Sequence, residues 1–158
     1  MKVKAILTMA MLLAAAWATA QADTALTDLM DATGLKYKIT KNGNAMTTYT
    51  LDGGRTQSVY VSKRQYQVGG LNLREIWSNA GNVGEDVEAD VLSKLLSGGG
   101  EENIGSWMIE KNDDGSWLVY YSTKLPDLSP ADLKSVMRYI AAVADAKEQE
   151  LGGDADEN

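Results

Sequence analysis

The chain has 158 residues, with 15 Lys and Arg against 22 Asp and Glu, and it contains no Cys, His or Phe. Those absences exclude a thiol nucleophile, a Ser-His-Asp triad, a disulfide framework and a zinc site of the ordinary Cys/His kind. The acidic balance argues against nucleic acid as a partner, because phosphate binding rests on a basic surface.

Residues 1–22 read as a secretory signal. Lys2 and Lys4 form a positive n-region, Ala5 to Trp17 is apolar apart from Thr8, and small residues follow. Ala18-Thr19-Ala20 and Ala20-Gln21-Ala22 both fit the small-x-small pattern of a cleavage site, and Ala22 is the favoured position, leaving Asp23 first. The apolar stretch is shorter than the roughly 20 residues a spanning helix needs, so after cleavage the protein is expected not to span a membrane. The expected address is the periplasm or the exterior. Loss of residues 1–22 removes two bases and no acid, leaving 13 bases against 22 acids.

Asp23 to Thr33 has helical spacing, with Leu26, Leu29 and Met30 on one side and Gly34 where a left-handed residue ends a helix. From Lys36 to Ala80 the period becomes two. Ala45 to Leu51, Thr56 to Val61 and Leu71 to Trp77 read as strands, punctuated by Asn42-Gly43, Asp52-Gly53-Gly54 and Gly69-Gly70. Asp86 to Ser97 returns to helical spacing through Val87, Val91, Leu92, Leu95 and Leu96, with acids crowding its positive end and Gly98-Gly99-Gly100 ending it. Ser106 to Lys111 and Ser116 to Thr123 read as a hairpin around Asn112-Asp113-Asp114-Gly115. In Ser129-Pro130-Ala131-Asp132 an N-cap, a proline at N1 and an acid at N3 open a long helix. Leu133, Val136, Met137, Ile140, Val143, Ala144 and Leu151 mark its apolar stripe, and Gly152-Gly153 ends it. The expected fold class is α+β: helix, three or four antiparallel strands, helix, two strands, helix, with the helices packed against the sheet. A single domain spans residues 23–153, and residues 154–158 form an acidic, disordered tail.

Charge is divided along the chain. Thr33 to Ala80 holds seven bases and two acids, whereas Gly81 to Asn158 holds six bases and 17 acids. Two readings follow: charges that solvate outward faces, or a basic sheet face meeting an acidic peptide or the acidic part of a second subunit.

The order of elements resembles the bacterial YbjN family, whose fold is similar to type III secretion chaperones. The resemblance is carried by Gly34-Leu35-Lys36-Tyr37 before the first strand, Gly105-Ser106-Trp107 before the second hairpin, and Leu128-Ser129-Pro130-Ala131-Asp132-Leu133 at the last helix. It covers most of Asp23 to Gly153. It implies a small module, often dimeric in the chaperone branch, linked to protein interaction or regulation and not to catalysis. Those chaperones act in the cytosol, so an export signal departs from the pattern.

The remaining motifs assign no catalytic residue, metal ligand or cofactor. Asn112 to Gly115 is a fragment of a calcium loop, but such a loop runs to about 12 residues and ends in a bidentate Glu, so a hairpin turn is the expected reading. The carboxylates of Glu85 to Asp90 and of the tail are dipole partners and solvated charge. As a pair in a cleft they would instead suit hydrolysis of an envelope polysaccharide. Gly98 to Gly100 lacks the lysine of a phosphate loop. The better hint is aromatic: Trp77, Trp107, Trp117 and seven Tyr all carry a polar tip suited to half-exposed surfaces. Tyr60, Trp77, Trp107, Trp117, Tyr120 and Tyr121 form the candidate interaction surface, and strand alternation puts either Tyr120 or Tyr121 on the outer side. The expected function is an exported, non-enzymatic interaction module, a homodimer or a binder of another envelope protein or peptide. The alternatives are the hydrolase above and a purely structural envelope protein.

Overall fold

The computed structural model describes residues 24–84, 89–98 and 104–152. The expected signal segment, the acids Glu85 to Glu88 and the acidic tail lie outside the described residues. In chain order the elements are α1 (Thr24–Thr33), β1 (Lys38–Ile39), β2 (Ala45–Thr50), β3 (Thr56–Val68), β4 (Leu71–Val83), α2 (Ala89–Gly98), β5 (Ser106–Lys111), β6 (Trp117–Pro126) and α3 (Pro130–Glu150). This is the α+β order expected from the periodicities. The strands form one antiparallel six-stranded sheet in the order β1-β2-β3-β4-β6-β5, open at both edges.

Each helix has a local reason for its limits. Ser129 caps α3: its Oγ accepts from the Asp132 amide at 3.2 Å and its hydroxyl donates to Asp132 Oδ2 at 2.6 Å, while Pro130 fills the first turn. Gly34 follows α1 at φ 69°, with its amide bonded to the Asp31 carbonyl.

One face of the sheet carries the core. Ala45, Val59, Val61, Ile76, Ala80, Val119, Tyr121 and Trp107 are buried there with Leu26 and Met30 of α1, Leu95 of α2, and Leu133, Met137, Ile140 and Ala141 of α3. Alternation accounts for the selection, since every strand residue in that set points to the same side. Two of the polar side chains on this covered face pair with each other. Gln57 Nε2 donates to Ser78 Oγ at 2.7 Å, and the Ser78 hydroxyl donates to the Ser58 carbonyl at 2.7 Å. At the far end of α3, Arg55 bonds Asp145 at 2.7 Å and Glu148 at 3.1 Å, so part of the basic half meets the acidic half within one chain.

The middle strands run further than the sequence periodicity indicates. β3 continues from Val61 to Val68 and β4 from Trp77 to Val83. The continuation of β3 passes through an irregularity, because Val61 pairs with Ile76 and the next pair is Gln65 with Arg74. Ser62, Lys63 and Arg64 therefore face Glu75 alone, which interrupts the alternation a strand shows in sequence. The buried Arg74 guanidinium donates to the carbonyls of Ser62 and Lys63, supplying donors where the ladder fails. Beyond it the ribbon closes at Gly69-Gly70, both with positive φ (54° and 86°), the conformation a two-residue hairpin of this twist demands. Gly105 is required for a different reason: a Cβ there would lie 2.7 Å from the Ser122 carbonyl oxygen. No other residue lets β5 approach β6 at that point.

Candidate functional site

The second face of the sheet is left open by all three helices. Met46, Tyr60, Trp77, Tyr120 and Met108 point to it, and none of them belongs to the core cluster or packs on it. Cross-strand register places Lys38, Met46, Tyr60, Trp77, Ser122 and Ser106 in one row from edge to edge. In the adjoining rows Asn79, Tyr120 and Met108 are neighbours, and Thr48 faces Ser58.

Tyr60 and Trp77 are the centre of this face. Their rings stack at 5.2 Å with 14° between planes, a pairing that holds both side chains upright from adjacent strands. Both are half-buried. On its other side Trp77 pairs with the β6 position held by Ser122, a small residue. Ser122 donates to Glu75 Oε1 at 2.7 Å, and Lys124 Nζ reaches the same oxygen at 3.3 Å. Tyr120 is half-buried, and its phenol pKa is raised by that burial and by the nearby Glu110 and Glu75 carboxylates, so it stands as a neutral hydrogen-bonding group at physiological pH. Tyr66 lies further along β3 with Arg64 Cζ 4.7 Å and Lys124 Nζ 5.5 Å from its ring centroid.

The structure divides the six aromatic residues that the sequence groups together. Tyr60, Trp77 and Tyr120 stand on the open face. Tyr121 and Trp107 are buried on the covered face, in contact with each other at 5.2 Å, and Lys147 of α3 lies 5.5 Å from the Trp107 ring. They fill the core and present no ring to a partner. Trp117 shares their side of the sheet but sits at the hairpin end, half-buried, with Lys111 Nζ 5.5 Å from its ring. Met46, Met108 and Tyr66 also reach the open face and were not singled out by sequence. Tyr66 is separated from the regular part of β3 by the irregularity at Ser62 to Arg64, so simple alternation does not reveal its side.

Asn112 to Gly115 forms the expected hairpin turn. The Asn112 amide bonds the Ser116 carbonyl, and Asp114 Oδ1 accepts from both the amide and the hydroxyl of Ser116, which lowers the Asp114 pKa. That carboxylate is used by the turn itself. Among the described residues there is no group of three or more Asp or Glu placed to hold a metal ion, and no helix is long and apolar enough to cross a membrane. No model of a known protein family matches the chain, and no curated protein matches it either.

Proposed function

We propose that this chain is an exported, non-enzymatic protein-interaction module that acts in the bacterial envelope, in the manner of YbjN-like and secretion-chaperone-like proteins, through the open face of its sheet. The observation that carries the reading is the Tyr60–Trp77 stack, an aromatic pair held upright on a sheet face that no described helix covers. Rigid aromatic groups with polar tips supply much of the binding energy where proteins meet, at small cost in side-chain entropy. The favoured partner is an acidic polypeptide segment of another envelope protein with an apolar or aromatic anchor. Lys38 stands in the same row as the pair and Arg64 flanks it towards the Gly69-Gly70 turn, whereas Glu75 is engaged by Ser122 and Lys124 and Glu110 lies apart, beside Tyr120 near the β5 edge.

Cross-linking in the native compartment followed by mass spectrometry tests this reading. A reproducible protein partner is expected, its recovery weakened about tenfold or more by Tyr60→Ser with Trp77→Ser and reduced by added salt. Recovery that is indifferent to both substitutions overturns it. A bound glycan turned over by the chain would favour the hydrolase. Light scattering of the chain from Asp23 decides whether the partner is a second copy.

A further inference from the structure

The β3–β4 ribbon ends in a finger whose chemistry differs from the sheet below it. On one side β2 pairs with β3 only from Thr56 to Val61, and on the other β6 pairs with β4 only as far as Leu73 opposite Pro126. The rungs Gln67–Asn72 and Val68–Leu71 therefore have no third strand. Val68 and Leu71, which face each other across the Gly69-Gly70 turn, are 58% and 56% exposed, the two most exposed large hydrophobic side chains among the described residues. Two adjacent apolar side chains at the tip of a two-stranded ribbon gain nothing from the protein's own core.

Side chains change in order along this finger. Val68 and Leu71 form the tip. Two rungs back, on the same side, stand Tyr66 and Leu73, with Pro126 beside them. Behind these come Arg64 and Lys124, both against the Tyr66 ring, and the exposed Lys63 and Lys41 lie at the same end, Lys63 beside the Asn42-Gly43 turn. The opposite side of the finger is polar, with Gln67 Nε2 bonded to Asn72 Oδ1 at 3.3 Å. Of the acids at this end, Glu75 bonds Lys124, and Asp127, exposed after Pro126, lines a pocket with Arg74 and Leu133 on the covered side.

At about 3.3 Å per residue, the tip stands about 7 Å beyond Tyr66. That is the depth to which an apolar segment enters the boundary between headgroups and acyl chains, about 5–10 Å. Tyrosine is enriched at the headgroup level, and basic residues close to an anionic surface add attraction. We propose that the Val68–Leu71 tip inserts shallowly into an anionic phospholipid surface, with Tyr66 at the headgroup level and Arg64, Lys63 and Lys124 against the lipid phosphates. A protein groove would not require apolar, amphipathic and cationic groups in this depth order, whereas a bilayer interface does. The inference stands apart from the Tyr60–Trp77 reading, since it uses different residues and a different partner.

Co-sedimentation of the chain from Asp23, which contains every described core residue, with vesicles of phosphatidylcholine alone or mixed with phosphatidylglycerol tests the proposal. Binding is expected only with the anionic lipid present. V68S/L71S is expected to lower it at least tenfold, Arg64→Gln by about fivefold, and the Tyr60→Ser, Trp77→Ser variant not at all. Circular dichroism spectra matching the parent establish that the variants fold, as exposed positions should allow. Absence of binding by the parent chain, undiminished binding by V68S/L71S, equal binding to neutral vesicles, or loss of binding in the Tyr60→Ser, Trp77→Ser variant overturns it. If vesicles fail and V68S/L71S instead abolishes a cross-link to a protein, the tip is a protein docking site and the membrane proposal falls.

Discussion

The two faces of one sheet are made from the same strands, often from neighbouring residues, yet they answer to different constraints. On β4, Ile76 and Ser78 are sealed beneath the helices while Trp77 between them is half-buried on the open side. On β6, Tyr121 is sealed and Tyr120 is not. Chemically similar side chains one residue apart thus serve packing in one case and remain available to a partner in the other. Aromatic content by itself is therefore a poor guide to a binding surface, and side-chain direction is the deciding quantity.

The sharpest way to break this comparison is to truncate one aromatic residue on each face. Tyr121→Ala empties a fully buried site and is expected to cost about 3–5 kcal/mol in chemical denaturation. Trp77→Ala loses a cross-strand stack and is expected to cost only about 1 kcal/mol. Equal losses would mean that the open face is packed after all.

A smaller effect is expected at the boundary between the regular sheet and the finger. Arg74→Met keeps the apolar volume but takes the donors from the Ser62 and Lys63 carbonyls, which should cost about 2 kcal/mol. Hydrogen exchange should then rise first in Gln65 to Asn72, with little change in the paired centre of β4. Uniform exchange would show that the finger and the sheet open together.

The smallest effect lies at the margin of the covered face. Tyr49 is half-buried with its hydroxyl enclosed and, among the described residues, without a hydrogen-bond partner. Burial raises its pKa to about 12, opposed by Arg138. The folded state therefore holds this proton more tightly than the unfolded chain, whose phenol titrates near 10. The associated stability is complete below about pH 10 and is lost as pH rises towards 12. Tyr49→Phe is expected to be close to neutral at pH 7 and to flatten the decline between pH 10 and 12. An unchanged alkaline decline would assign it to other groups.

The helices were legible because their signals are local. The cap at Ser129, the proline beside it and the glycines after α1 and α3 act within a turn or two of chain, and the observed limits follow them. The regular halves of the strands were legible for the same reason. The β3 extension was not, because Ser62 to Arg64 break the alternation and Arg74, from the facing strand of the hairpin, makes good the lost hydrogen bonds. The candidate site was half legible: the aromatic residues were identified, but Trp107 and Tyr121 were grouped with Tyr60 and Trp77 although α3 closes over one side alone.

The sequence by itself determined the kinds of element, their order and their punctuation, since capping, periodicity and positive-φ glycines are short-range effects. Only the tertiary structure decided which side of the sheet the helices cover, how far the β3–β4 ribbon projects beyond its neighbours, and which aromatic rings meet water. Those outcomes depend on contacts between residues far apart in the chain, such as Arg55 with Asp145 and Leu133 with the sheet, and no local pattern encodes which of two alternating faces such contacts will bury.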